Sequence, residues 1–291
     1  SSHELNQPGC YRDVKDTTVT AQFRITDPKP EMTGWGTPYF LAWTTTPWTL
    51  PSNTALCVGP KFDYVCIRTY NIYTGDAISV VMAKALVPSY FDVKGLEAPL
   101  DTYKPGDKVV PYRVVGEWKG TELEGMHYEQ LMPYVNPGEG AFRVILGDYV
   151  STEDGTGIVH IAPTFGADDA FVAKQAGIPP LQVIDAKGKR CPMVDLKGRF
   201  FRIEDLDPVF VRDYVNVDAY KEYAGRFVKN AYDPTLTGKD ETLDVALCMD
   251  LKSRGLAFKI AKHVHSYPHC WRTDKPVLYY PLDSWFIKST A

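Results

Sequence analysis

The chain has 291 residues, 44% of them hydrophobic and 23% charged, with a formal net charge of −4 and a pI near 5.9. That length and apolar content allow a sizeable buried core, no apolar run reaches the roughly 20 residues of a membrane-spanning helix, and no secretory signal is visible, so membrane and secreted classes are set aside. The acidic balance argues against strong nucleic-acid binding by this chain alone, because neutralising phosphates needs a basic surface.

In chain order, the spacing of apolar and β-branched residues between Gly and Pro turns predicts strands at 17–25, 39–43, 54–58, 64–68, 77–83, 142–146 and 157–162. Helical signals come later, at 169–175, 207–214, 217–222 and 243–254, the last ending before Gly255. The fold class expected is mainly β with peripheral helices, an α+β arrangement, and many short strands with abundant turns suggest a closed β-barrel. One domain is expected, with its core at about 17–83 and 141–180 joined by 263–285. Two excursions leave it, at about 84–140, rich in Pro, Gly and Tyr, and at about 185–262.

Two segments carry chemistry. The first is Trp43-Thr44-Thr45-Thr46-Pro47-Trp48-Thr49, followed by Leu50-Pro51-Ser52-Asn53. Pro47 and Pro51 forbid a continuing central strand or helix, so the hydroxyls sit where a strand breaks into a loop. Such a rim offers side-chain hydroxyls and free backbone N–H groups to a polar ligand, with indoles as an apolar wall; a threonine-rich strand end packed by tryptophans is the plainer alternative. The second runs from Gly155 through Ile158-Val159-His160-Ile161 to Thr164-Phe165-Gly166-Ala167-Asp168-Asp169. It predicts a short strand leading into a helix whose N-terminal carboxylates complement the helix dipole. Taken singly, His160 reads as a core histidine and either aspartate as a helix cap. If the two loops converge, they form one pocket with hydroxyls, a histidine and a carboxylate.

The stretches WTTTPWTLPSN and GTGIVHIAPTFGADD resemble the two signature motifs of the editing domain inserted into the catalytic fold of isoleucyl-tRNA synthetases, of the class I aminoacyl-tRNA synthetase family. Valyl and leucyl relatives carry a Thr-Thr-Arg-Pro type of loop where this chain has Thr45-Thr46-Pro47-Trp48. Lys119 to Gly125 with Tyr128 resembles the insert's internal linker, and His265 to Arg272 its exit segment. No His-x-Gly-His and no Lys-Met-Ser-Lys-Ser segment is present, so the chain reads as an excised insertion that does not itself aminoacylate.

The resemblance implies a β-barrel core and hydrolysis of valine esterified to the 3′ end of tRNA(Ile), with valyl-adenylate as a second substrate and the catalytic domain of the parent synthetase as partner. It implies Asp169, rather than Asp168, as the acceptor of the substrate ammonium. His160, with Phe165 and Trp48, is expected to set the size limit that excludes isoleucine. Thr44, Thr45, Thr46 and Thr49, with Asn53, are expected to hold the ester, the terminal adenosine and the attacking water. Thr45, Thr46, His160 and Asp169 are thus the catalytic candidates, with Thr44, Trp48, Thr49, Asn53 and Phe165 binding substrate. No Ser or Cys nucleophile with a neighbouring base is recognisable, so direct attack by water is expected. No cofactor is expected, and a cytoplasmic location fits six scattered cysteines read as reduced thiols. His263-x-His265 with His269-Cys270 has zinc-capable side chains but not the spacing of a common finger, and no metal is expected. Lys187, Lys189, Arg190, Lys197, Arg199, Arg202, Lys252, Arg254, Lys259 and Lys262 are candidates for tRNA phosphates or a solvated face. The alternatives are a non-catalytic insertion that positions tRNA, or an editing domain of a valyl or leucyl synthetase that rejects a different amino acid.

Overall fold

A computed structural model of the chain describes residue 5 and residues 7–282. Among the described residues there are eleven strands: β1 Tyr11–Arg24, β2 Thr37–Thr44, β3 Ala55–Val58, β4 Asp63–Tyr70, β5 Ala77–Ala83, β6 Arg113–Lys119, β7 Arg143–Leu146, β8 Ile158–Ile161, β9 Val183–Ile184, β10 Arg190–Cys191 and β11 Ala257–Pro268. They form a six-stranded sheet in the order β11-β1-β2-β5-β4-β6, a three-stranded sheet β7-β3-β8 and a β9-β10 pair. The longer helices are Ala167–Gln175, Pro208–Tyr214 and Leu243–Ser253. The sheet-rich α+β class expected from the sequence is what folds.

Barrel closure is not found. Among the described residues the large sheet ends at β11 on one side and β6 on the other, with no ladder joining its edges. The two sheets are instead stitched by single bonds around the second motif. Thr156 Oγ1 donates to the Leu41 carbonyl at 2.6 Å, the Ala83 N–H reaches the Thr156 carbonyl at 2.8 Å, and the buried Tyr64 hydroxyl donates to Gly157 at 2.6 Å. These satisfy backbone groups that a continuous ladder would otherwise use.

Strand alternation divides the small sheet between two cores. Ala55, Cys57, Ile145 and Ile161 face Val172 and Ala173 of the helix Ala167–Gln175, while Leu56, Val58, Val144 and Ile158 join the main core. Helix Ala167–Gln175 ends in a Schellman closure, with Ile178 N–H to the Ala173 carbonyl at 2.8 Å and Gly177 N–H to Lys174 at 3.3 Å. Gly177 supplies the positive φ of 68° that this closure needs. The expected excursions return to the sheet: β6 lies within 84–140 and adds to β4, and β11 begins within 185–262 and pairs with β1 from end to end.

Candidate functional site

β2 ends at Thr44, and Pro47–Ser52 turns as a 3-10 helix with both prolines accommodated at its start and interior. The turn folds the hydroxyls onto one another. Thr44 Oγ1 accepts the Thr46 N–H at 3.1 Å and lies 3.3 Å from Thr46 Oγ1, which lies 3.4 Å from Thr49 Oγ1. The Thr49 hydroxyl donates to the Thr46 carbonyl at 2.9 Å.

β8 carries His160 opposite Leu56 of β3, on the face turned towards this threonine turn. Its Nε2 is 2.8 Å from Thr49 Oγ1 and its Nδ1 is 3.2 Å from Asn53 Nδ2. The protonation state follows from the partners. Asn53 Nδ2 also donates to the Ala55 carbonyl at 2.9 Å, and Asn53 Oδ1 accepts the Tyr128 hydroxyl at 2.6 Å, so the amide orientation is fixed. Nδ1 of His160 is therefore an acceptor. Thr49 spends its own proton on Thr46, so it accepts from Nε2–H. His160 is the neutral Nε2–H tautomer, and burial pushes its pKa down to about 4. Both ring nitrogens are engaged, which leaves the ring as a wall and not as a free base.

Asp169 enters from the first turn of its helix. Its Oδ2 accepts the Ala162 N–H at 2.9 Å, just past the end of β8. Gly166 makes that fold-back feasible: a Cβ there would sit 3.0 Å from Asp169 Cγ and 3.2 Å from its Cβ. Burial raises the carboxyl to about 6, against the Ala162 N–H that lowers it, with the neighbouring Asp168 adding to the rise. Asp168 itself is exposed and lies outside the cavity.

A cavity of about 400 Å³ unites these groups. Thr44, Thr45, Thr46, Thr49, His160, Phe165 and Asp169 line it, with Trp43 and Tyr149 at its walls. Seven of the nine candidates from the sequence thus converge. Asn53 and Trp48 do not line it. Asn53 is buried behind His160 with its polar atoms consumed in orienting the ring, and Trp48 is buried behind Phe165, its ring 4.9 Å away edge-on. Both support groups that do line the cavity, Asn53 through the His160 ring and Trp48 through Phe165.

Three contributors are not among the site candidates read from the sequence. Tyr128 fixes Asn53; Tyr149 walls the cavity; and Asp244 accepts the Trp48 N–H at 2.9 Å from a helix far along the chain. Of the three, only Tyr128 is singled out by the sequence, and there as part of the linker segment. Burial pushes Asp244 up to about 7, with Lys229 and the Trp48 N–H pulling the other way.

The remaining candidates lie elsewhere. His265 Nε2 meets Asp16 at 3.0 Å, His263 packs edge-on against Trp43, and His269 Nδ1 meets the Tyr267 carbonyl. Among the described residues no three His, Cys, Asp or Glu side chains are grouped to hold a metal. Arg199 and Arg254 are engaged by Asp195 and Asp250, while Lys187, Lys197, Lys252, Lys259 and Lys262 are exposed. No described helix is long and apolar enough to cross a membrane.

No family model matches the chain. It is similar over its entire length to the isoleucine–tRNA ligase of Bacteroides fragilis, at 72% identity, and to that of Porphyromonas gingivalis, at 64%. In each case it covers 26% of the relative. Among solved structures, the editing domain of the P. knowlesi cytosolic leucyl-tRNA synthetase is similar with a TM-score of 0.46 and 11% identity, over 85% of this chain and 97% of that one. Over its whole length the chain is thus similar to one part of the isoleucine–tRNA ligases, and it spans about a quarter of the length of the relatives it matches.

Proposed function

We propose that this chain is the editing hydrolase of an isoleucine–tRNA ligase, cleaving valine from misacylated tRNA(Ile) and accepting valyl-adenylate as a second substrate. The observation that carries the reading is the convergence, in one cavity, of the threonine hydroxyls, a partly buried carboxylate and a neutral histidine held at both nitrogens. A need for such a site follows from physical chemistry. Isoleucine against valine is itself the general example of a discrimination limited to one methylene, about 1–3 kcal/mol in an apolar pocket, and fidelity beyond that requires a second sieve.

The residues divide the work by their chemistry. Asp169 keeps one oxygen on the Ala162 N–H and has a second for the substrate's α-ammonium, a charge-assisted bond. His160 and Phe165 present rigid faces to the amino-acid side chain and exclude one with an extra methylene. Thr44, Thr45, Thr46 and Thr49 offer hydroxyls to the ester, to the attacking water and to the developing oxyanion. Cys57, on β3 of the small sheet, belongs to the core cluster that includes Val172 and Ala173; burial pushes its thiol up to about 12, and it is no nucleophile. Water is therefore the nucleophile, placed by hydroxyls against an ester that is already labile.

The test is hydrolysis of valyl-tRNA(Ile) and isoleucyl-tRNA(Ile), side by side, by the purified protein at high concentration. Selective loss of the valyl ester is the expected result. Cleavage of neither ester, with valyl-adenylate also spared, would defeat the proposal.

A further inference from the structure

The hydroxyl turn depends on a residue that is not in it. At the start of Pro47–Ser52, Pro47 has no N–H and the Thr49 N–H is taken by the Thr46 carbonyl at 3.0 Å. The Trp48 N–H is left without an acceptor in its own segment, and a buried donor in that state costs about 1–3 kcal/mol. Asp244 Oδ1 accepts it at 2.9 Å, across 196 residues of chain. Asp244 is 4% exposed and does not line the cavity.

Asp244 is itself held from two directions. Thr242 Oγ1 accepts the Val245 N–H at 3.2 Å and fixes the start of helix Leu243–Ser253, which packs against the turn and against β1. On the other side, Lys229 Nζ lies 3.9 Å from Asp244 Oδ2 and 3.2 Å from Asp16 of β1, and sits over the Tyr267 ring of β11. His265 of β11 closes on the same Asp16 oxygen. The β1–β11 ribbon, helix Leu243–Ser253 and the threonine turn are thereby tied through one carboxylate.

We infer that Asp244 is a positioning residue: by holding the Trp48 N–H it sets where Thr46 and Thr49 place their hydroxyls, and through Thr49 it sets the His160 ring. The kinetic consequence rests on the hydrolysis proposed above; the geometric one does not. Trp48 is adjacent in sequence to Thr49, whose hydroxyl receives the His160 Nε2–H, so a displaced turn releases that bond.

Two readouts on the full chain test it. The first is the ring Nε2–H resonance of His160 in protein labelled with ¹⁵N-histidine, assigned by its loss in His160→Ala. The second is steady-state cleavage of valyl-tRNA(Ile). In Asp244→Ala, and in Asp244→Leu, which retains volume, the His160 proton should exchange faster with solvent. kcat should fall about 10- to 100-fold with KM changed less than about twofold, the scale expected when reacting groups move by an ångström or less. Asp244→Asn retains an acceptor oxygen and should recover both readouts. An unchanged His160 signal in the Ala and Leu variants overturns the inference, as does undiminished kcat. So does a loss in Asp244→Asn equal to that in Asp244→Ala. If the unaltered protein cleaves no aminoacyl ester, the proposed hydrolysis fails, and the His160 signal still decides the inference.

Discussion

Replacing Asp169 with Asn should make the protein more stable and less active. The substitution is nearly isosteric, and the amide oxygen can still accept the Ala162 N–H that Asp169 Oδ2 accepts at 2.9 Å. What disappears is a charge taken partly out of water. The carboxyl ionises near 6 in the fold and at 3.8 ordinarily, a difference equivalent to about 3 kcal/mol. Solvent reaches this partly exposed group, so about 1–2 kcal/mol is the expected gain at pH 8, or a Tm rise of about 3–5 °C. The sign is fixed by linkage. A raised folded pKa means that the fold binds the proton more tightly than the unfolded chain, so wild-type stability from this group is full below about 3.8 and is lost as pH rises through about 6. The advantage of the Asn variant should therefore be complete above pH 6 and vanish near pH 4. In parallel, kcat/KM for valyl-tRNA(Ile) should drop about 10- to 150-fold, the value of a hydrogen bond to a charged group. Denaturant unfolding of both proteins at pH 4, 6 and 8 decides the stability claim. A variant no more stable at pH 8, or one whose advantage persists at pH 4, would refute the electrostatic account of Asp169.

Three further substitutions separate the roles around it. His160→Ala should open the wall of the cavity, so that isoleucyl-tRNA(Ile) is cleaved and the valyl preference collapses; an intact preference would remove His160 from discrimination. Tyr128→Phe deletes the donor to Asn53 Oδ1 and leaves a buried acceptor unmet, so stability should fall by about 1–2 kcal/mol in denaturant titration. The valyl-to-isoleucyl ratio should weaken with it, because Asn53 then holds the His160 ring less firmly. Gly166→Ala crowds Asp169 Cγ at 3.0 Å while the backbone there, at φ −153°, is ordinary for alanine. KM should rise severalfold with the fold intact by circular dichroism, and an unchanged KM would detach Asp169 from substrate binding.

The legible parts of this molecule are those whose partners are near in sequence or whose pattern is strong. The apolar runs of β2, β3, β5 and β8 are legible because every residue in them is at least partly buried. β6 shows no such run: its residues alternate irregularly between partial burial and exposure, with Gly116 in the middle, and it is held by pairing to β4. The expected first strand started at 17, whereas β1 begins at Tyr11, because its charged first half is stabilised only by the ribbon with β11. The same logic holds in the site. Hydroxyls, histidine and carboxylate are visible as chemistry, but Asn53 belongs to Tyr128, 75 residues on, and Trp48 to Asp244, 196 residues on. Such pairings carry no local signal. Barrel closure was expected from resemblance and from strand count, yet strand count does not specify whether a hydrogen-bonded ladder or a few bonds such as Thr156 to Leu41 joins two sheets.

The engagement of both His160 nitrogens also constrains how a proton leaves the attacking water. A histidine acting as general base needs a free lone pair facing the water, and here Nδ1 accepts from Asn53 while Nε2 carries a proton directed at Thr49. Its pKa near 4 would make it a weak base in any case. Between the two titratable groups His160 and Asp169 in the cavity, the ionisation that should govern turnover is then that of Asp169, which on this proposal must be charged to hold the ammonium. With its folded value near 6, kcat/KM for the valyl ester should rise as pH increases through about 6 and show no separate limb belonging to His160. In Asp169→Asn the same limb should be absent from the residual activity. A limb that survives in Asp169→Asn and disappears in His160→Ala would instead assign the titration to histidine, and with it a proton-transfer role that the hydrogen-bond network of this site does not leave room for.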